Sequence, residues 1–181
     1  MTNAELAILS LISETPRHGY EIEQIIKARG MREWTEIGFS SIYYLLKKLE
    51  KAGLVDSQLI PTQGRGSRRR VYQITAEGNE ALSKATLEAL SQPKQNYSSV
   101  LLGIANLPLL SQEQALGALR SYRNGLAKRA GDVTEQAESQ RPLPDHVETL
   151  FDYSLVMLGA EKNWVEKVIR KMEDEQSEKN I

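Results

Sequence analysis

The chain has 181 residues, with 23 Lys plus Arg against 24 Asp plus Glu, a formal net charge of −1, 40% apolar residues and no cysteine. That length suits one domain or two small ones with a real core, and the missing cysteine excludes a disulfide scaffold, a thiolate zinc site and a cysteine nucleophile. His18 and His146 stand far apart in sequence, which leaves little material for a metal centre or a His-dependent triad, so an enzyme is disfavoured and no cofactor is expected.

Thr2-Asn3-Ala4-Glu5 reads as a capping box, and Leu6, Leu9 and Ile12 with Ala7 and Ile8 give a short apolar first helix. It stops at Thr15-Pro16, because the residue before proline is pushed out of the helical region. A second helix is predicted from Tyr20 to Arg29 after a turn at Gly19, with Ile22, Ile25 and Ile26 on one side and Gly30 as its stop. Ser40 is the expected N-cap of a third helix. Its stripe Ile42, Leu45, Leu46 and Leu49 faces inward, and Ser41, Tyr43, Tyr44, Lys47 and Lys48 lie on the other faces. Residues 54–60 and 68–74 are β-prone runs around a Pro- and Gly-bearing turn, which reads as a hairpin. Thr75 then caps a fourth helix of about 15 residues.

Beyond residue 90 the chain turns polar, and a helical piece is predicted from Tyr97 to Leu107. Ser111 and Gln114 form a second capping box ahead of Leu116, Leu119, Tyr122, Leu126, Ala130, Val133 and Ala137, a long amphipathic helix ending at Arg141-Pro142. Asp145 opens a last helix whose stripe is Val147, Leu150, Phe151, Ser154, Leu158, Val165, Val168, Ile169 and Met172, and an acidic stretch from Glu173 is expected to fray into a tail. The fold class is therefore mainly α with a small β-hairpin. Residues 1–90 form a winged helix-turn-helix, 91–110 connect, 111–175 form a C-terminal helical dimerisation domain and 176–181 are tail. The start lacks the basic segment of a signal peptide, and the longest apolar run, Val100–Ala105, is far short of the roughly 18 residues of a membrane span. A soluble cytoplasmic protein with no membrane partner is expected.

Near-neutral net charge argues against nucleic acid only if charge is spread evenly. Between Ser40 and Thr75 there are seven basic and two acidic residues, a local +5, whereas residues 91–181 carry 11 basic and 13 acidic, or −2. A helix entering the major groove needs small or hydrogen-bonding groups near its N-terminus and cations along its flanks. Ser40, Ser41, Tyr43, Tyr44, Lys47 and Lys48 supply both. The hairpin tip Gly64-Arg65-Gly66, with Arg68, Arg69 and Arg70 behind it, can follow the minor groove or backbone of double-stranded DNA. The bland alternatives are specific too. One of Tyr43 and Tyr44 is expected to be half buried against the hairpin, one of the three arginines to make an internal ion pair, and His18 to serve a helix start instead of a metal.

His18-Gly19-Tyr20-Glu21-Ile22, the run from Ser41-Ile42-Tyr43-Tyr44 to Ala52-Gly53-Leu54, and Arg69-Arg70-Val71-Tyr72-Gln73-Ile74-Thr75-Ala76-Glu77-Gly78 occur in order. Together they make the first 80 or so residues resemble the PadR family of bacterial transcriptional regulators. The C-terminal part resembles the family's larger branch, whose C-terminal domain is similar to that of a virulence gene activator. The resemblance implies a homodimeric repressor released by a small aromatic or hydrophobic effector such as a phenolic acid. By position it implies that Tyr20 contacts the DNA backbone, that Ser41, Tyr43 and Lys47 belong to the recognition helix, and that Arg65 with Arg68 form the wing tip. Val71-Tyr72 departs from the aromatic pair common at the second hairpin strand.

A dimer is expected on physical grounds as well, since a two-fold pair reads half-sites about 34 Å apart. Leu119, Leu126 and Val133, spaced by sevens, look like a coiled-coil seam, joined by Leu158, Val165 and Val168 of the last helix. Tyr122, Phe151, Tyr153, Met157 and Trp164 are candidates for an effector pocket at the dimer interface, or for plain core. The leading function is a dimeric transcriptional regulator repressing from a palindromic operator. The alternatives are a winged-helix protein-interaction module and a regulator with no effector.

Overall fold

The computed structural model describes residues 1–33, 35–61, 68–95 and 97–179; the side chains of Glu33, Phe39, Ser40 and 176–179 lie outside that description. The chain divides into two compact units, Met1–Lys94 and Gln95–Ile181.

In the first unit, α1 (Asn3–Glu14) begins with the expected capping box: Glu5 N–H donates to Thr2 Oγ1 at 3.2 Å and Thr2 N–H donates to Glu5 Oε2 at 2.8 Å. A two-residue strand, β1 (Arg17–His18), follows where the sequence suggested only a turn. α2 (Gly19–Ala28) starts one residue earlier than predicted, with His18 as N-cap accepting from Glu21 N–H through Nδ1 at 3.1 Å. Gly30, at φ 61°, stops it. α3 (Phe39–Lys51) is capped by Gly38 with no side-chain bond, which corrects the expectation for Ser40. Gly38 takes the extended cap conformation itself, so the helix starts two residues earlier.

The C-terminus of α3 is a Schellman motif. Gly53 sits at φ 72°, its N–H bonds the Glu50 carbonyl at 3.0 Å, and Leu54 N–H bonds the Leu49 carbonyl at 3.0 Å. β2 (Val55–Pro61) and β3 (Arg68–Ile74) form the hairpin, and β1 adds to its other side in the antiparallel order β1-β3-β2. Arg17 pairs with Tyr72, and β2 pairs with β3 from Val55 opposite Ile74 to Pro61 opposite Arg68. Thr75 Oγ1 caps α4 (Ala76–Ser91) by accepting from Gly78 N–H at 2.9 Å. The core joins Ile8, Leu9, Leu11 and Ile12 of α1, Ile22 and Ile26 of α2, the predicted α3 stripe, and Val55 and Tyr72 of the sheet.

The second unit holds α5 (Ser99–Ala105), a 3-10 turn at Leu107–Leu109, α6 (Gln112–Ser139) and α7 (Asp145–Lys179). α5 is shorter than predicted, and α7 continues to Lys179 through the stretch expected to be tail. α6 and α7 pack along each other, tied by Gln112 Nε2 donating to the Met172 carbonyl at 2.6 Å, Arg120 to Glu173 at 2.6 Å and Tyr122 Oη to Glu161 at 2.7 Å.

Leu119, Leu126 and Val133 of α6 are buried, as are Phe151, Leu158, Val165 and Ile169 of α7, while Val168 is half-buried. Seven-residue spacing on both helices gives an antiparallel seam inside one subunit. Of the residues expected to join two subunits, Leu119, Leu126, Val133, Leu158 and Val165 are thus buried within one chain. Leu150, assigned to the inward stripe, is 43% exposed. With Tyr153, Val156 and Met157 it forms a second apolar strip on α7 that the α6 seam leaves open.

Candidate nucleic-acid interface

The approach to α3 is braced before the helix begins. Arg32 donates through Nε to the Ile37 carbonyl at 3.0 Å and pairs with Glu23 at 2.7 Å, and Thr35 Oγ1 donates to the Met31 carbonyl at 2.6 Å. With the stripe Ile42, Leu45, Leu46 and Leu49 buried, Tyr43, Tyr44, Lys47 and Lys51 point outward. Ser41 Oγ donates to the Gly38 carbonyl at 2.6 Å, holding that hydroxyl at the helix start. Tyr43 is 48% exposed and Tyr44 66%, so one of the pair is half buried as expected, although its ring rests on Gly19 of α2.

A groove of about 430 Å³ runs where α2, α3 and β3 meet, lined by His18, Gly19, Tyr20, Tyr43, Lys47, Arg69, Arg70 and Tyr72. It brings together four residues predicted for DNA contact, Tyr20, Tyr43, Lys47 and Arg69. Tyr44, Lys48 and Arg68 are exposed but do not line it. Tyr20 is 60% exposed, and its ring stacks with that of His18 at 6.3 Å. His18 turns Nε2 toward Arg69 NH1 at 3.4 Å. Arg65, with the rest of 62–67, lies outside the described residues.

Not every cation of the local +5 faces outward freely. Lys48 is bound by Glu5, a buried carboxylate of α1 whose pKa is lowered chiefly by that hydrogen bond and next by the backbone of Thr2. Arg70 donates to Ser57 Oγ at 3.1 Å and pairs with Glu50 at 3.5 Å, and Ser57 in turn donates to Glu50. Arg70 is therefore the arginine with the internal ion pair. Among the described residues Lys47 and Lys51 enter no ion pair, and Arg68 is exposed opposite Pro61. Among the described residues the cationic face thus narrows to Lys47, Lys51, Arg68 and Arg69.

Sequence reasoning missed the clamp beneath this face. Arg17, only 8% exposed, donates through Nε to the Leu11 carbonyl at 2.9 Å, pairs with Glu14 at 2.7 Å and reaches Glu21 at 3.4 Å. Arg29 binds the same Glu14 at 2.5 and 2.9 Å, and it is Arg29, ahead of Arg17, that lowers the Glu14 pKa. This network locks α1, β1 and α2 together and sets where Tyr20 stands. The Glu14-x-x-Arg17 and Arg17-x-x-x-Glu21 spacings were its only local signal.

In the second unit the five expected pocket residues stand in different surroundings. Phe151 is core, Tyr153 and Met157 are exposed, and Trp164 is half-buried. Tyr122 lines a smaller apolar cavity of about 160 Å³ with Val100, Ile104, Leu107, Leu110 and Leu119. Burial, and next the bond to Glu161, push the Tyr122 phenol pKa up. Among the described residues no helix is long and apolar enough to cross a membrane, and no group of three or more His, Asp or Glu could hold a metal ion.

Three helices and a hairpin on a three-stranded sheet, with an aromatic and cationic third helix beside a basic strand, define a winged helix-turn-helix protein. Residues 8–84 match the family model of the transcriptional regulator PadR-like family, and the chain belongs to that family. It is 33% identical over 81 residues to an uncharacterised protein of Lysinibacillus sphaericus, a match covering 45% of this chain and 72% of that protein. The fold is like that of Bacillus subtilis PadR in complex with operator DNA, at 20% identity and TM-score 0.77 over 93% of this chain and 98% of that one. It is also like the same protein in complex with p-coumaric acid, at 18% identity and TM-score 0.72 over 93% and 98%. The Vibrio cholerae virulence activator AphA gives 18% identity and TM-score 0.71 over 95% and 99%.

Proposed function

We propose that this transcriptional regulator binds duplex operator DNA through α3 and the wing, acts as a homodimeric repressor on a two-fold site, and is released by a small hydrophobic or phenolic effector. The observation that carries the reading is the groove joining Tyr20, Tyr43, Lys47 and Arg69, with Lys51 one turn further along α3; among the described residues neither lysine enters an ion pair. Aromatic hydroxyls and ammonium groups at that density, on the outward side of a helix narrow enough for the major groove, suit phosphate contact with base-edge readout. Bacillus subtilis PadR, whose fold this chain shares, binds operator DNA in its crystal structure, which supports the assignment.

The dimer reading moves to a new surface. Leu150, Tyr153 and Met157 recur at steps of three and four along α7, each at least 43% exposed, which is a second heptad-like strip on a helix whose first strip is already filled by α6. The effector reading rests on the p-coumaric acid complex of the Bacillus subtilis protein and on the apolar cavity that Tyr122 helps to line. Fluorescence anisotropy with a labelled duplex tests the core of this proposal. Binding should weaken steeply with salt, because released counterions give a slope of nearly one log unit per phosphate contact. Binding that is absent, or indifferent to salt, contradicts it.

A further inference from the structure

We propose that Gly19 is a positioning residue for the recognition helix: by lacking a side chain it provides the seat on which the Tyr43 ring lies. The inference rests on the reading of α3 as the DNA-facing helix. Gly19 is the first residue of α2 and is buried. Its backbone does not call for glycine, since among the described residues the glycines with a positive φ are Gly30 and Gly53. At an ordinary helical φ a glycine also gives up more backbone entropy on folding than alanine would. Its reason lies in space. A Cβ built at Gly19 would stand 2.7 Å from Tyr43 Cε1, closer than carbon atoms approach, and a tight 3.2 Å from both Cδ1 and Cζ.

What sits against it is the end of a side chain, not backbone. The ring can swing away, so a side chain at 19 displaces Tyr43 and leaves α2 and α3 where they are. The seat matters because Tyr43 is half exposed and shares its groove with Tyr20, Lys47 and Arg69. The ring's outward edge is thereby aimed by α2 instead of rotating freely about α3. A fixed aromatic on a recognition helix discriminates bases at less entropic cost than a mobile one.

The test is a double-mutant cycle on duplex binding, with wild type, G19A, Y43A, G19A/Y43A and K47A compared by anisotropy and thermal melting. Gly19→Ala is expected to weaken specific binding about tenfold, the scale of one lost base contact, with an unchanged or higher melting temperature. In the Tyr43→Ala background the same change should cost less than about twofold, because a positioning residue has nothing left to position. An equal loss in both backgrounds, or a lower melting temperature in G19A, overturns the inference in favour of a structural role. If K47A weakens binding and G19A does not, the inference alone fails. If neither wild type nor any variant binds duplex DNA, the underlying reading fails with it. In the free protein, nuclear Overhauser contacts should join the Gly19 α protons to the Tyr43 ring, and their absence counts against the seat itself.

Discussion

The placement of the heptad seam inside one subunit makes a quantitative demand on Leu126. Its side chain is 4% exposed between α6 and α7. Leu126→Ala removes three carbons, about 2.4 kcal/mol of transfer energy at roughly 0.8 per methylene, and the cavity left behind raises the total to about 3–4 kcal/mol. For a helical unit of this size each kcal/mol shifts the midpoint by about 4–8 °C, so the second unit should melt more than about 10 °C lower. Tyr153→Ser and Met157→Ser lie on the open strip of α7 and should act differently. They should lower the mass seen by sedimentation and make the melting temperature less dependent on protein concentration, with the packing of α6 on α7 intact. Circular dichroism melts at two concentrations, paired with sedimentation, separate the cases. If Leu126→Ala dissociates a dimer without lowering the melting temperature, the seam joins subunits after all and the reasoning is wrong.

Three further outcomes follow from the first unit. A Cβ at Gly78 would fall 2.0 Å from the Leu54 carbonyl oxygen, a backbone atom that cannot step aside, so Gly78→Ala should destabilise by about 3 kcal/mol or more in urea titrations. Lys47→Ala should reduce the salt slope of operator binding by about 0.9 per subunit, hence about 1.8 for a dimer, measured from log Kd against log salt. Glu5 has a folded pKa held below its ordinary 4.5 by Lys48 first and the Thr2 backbone next. Its stabilising contribution is therefore complete above that value and disappears as pH falls through the folded pKa. The stability gap between wild type and Glu5→Gln should be flat near neutrality and shrink only in acid. A gap that widens as pH falls would reverse the sign and refute the ion pair's role.

Much of the fold was legible because its signals are local. Thr2 with Glu5, Thr75 with Gly78 and Ser111 with Gln114 mark helix starts by bonds spanning three residues, and all three bonds are present. The α3 stripe and the stop at Gly53 were readable for the same reason. Gly38 displaced Ser40 as cap because Arg32, six residues upstream, holds the Ile37 carbonyl and so the chain path into α3. Strand β1 has two residues and exists only by pairing with β3, which leaves no local trace beyond Pro16.

At the candidate site the residue types were readable and their employment was not. Lys47 and Lys48 are neighbours in sequence, yet Glu5 on another helix takes Lys48 and leaves Lys47. Arg70 is withdrawn from the basic run by Glu50, whose position only the hairpin reveals. The spacing of Leu119, Leu126 and Val133 describes a seam without saying which helix fills it, and α7, apolar on two sides, supplied a partner within the same chain.

Whether the α3 and wing face reads duplex DNA is tested most directly by selecting bound fragments from a pool of random duplexes with the purified protein. The account predicts enrichment of a consensus with two related half-sites about one helical turn apart, lost in the Lys47→Ala variant. A pool that stays random through successive rounds, or one enriched equally by wild type and Lys47→Ala, would contradict it.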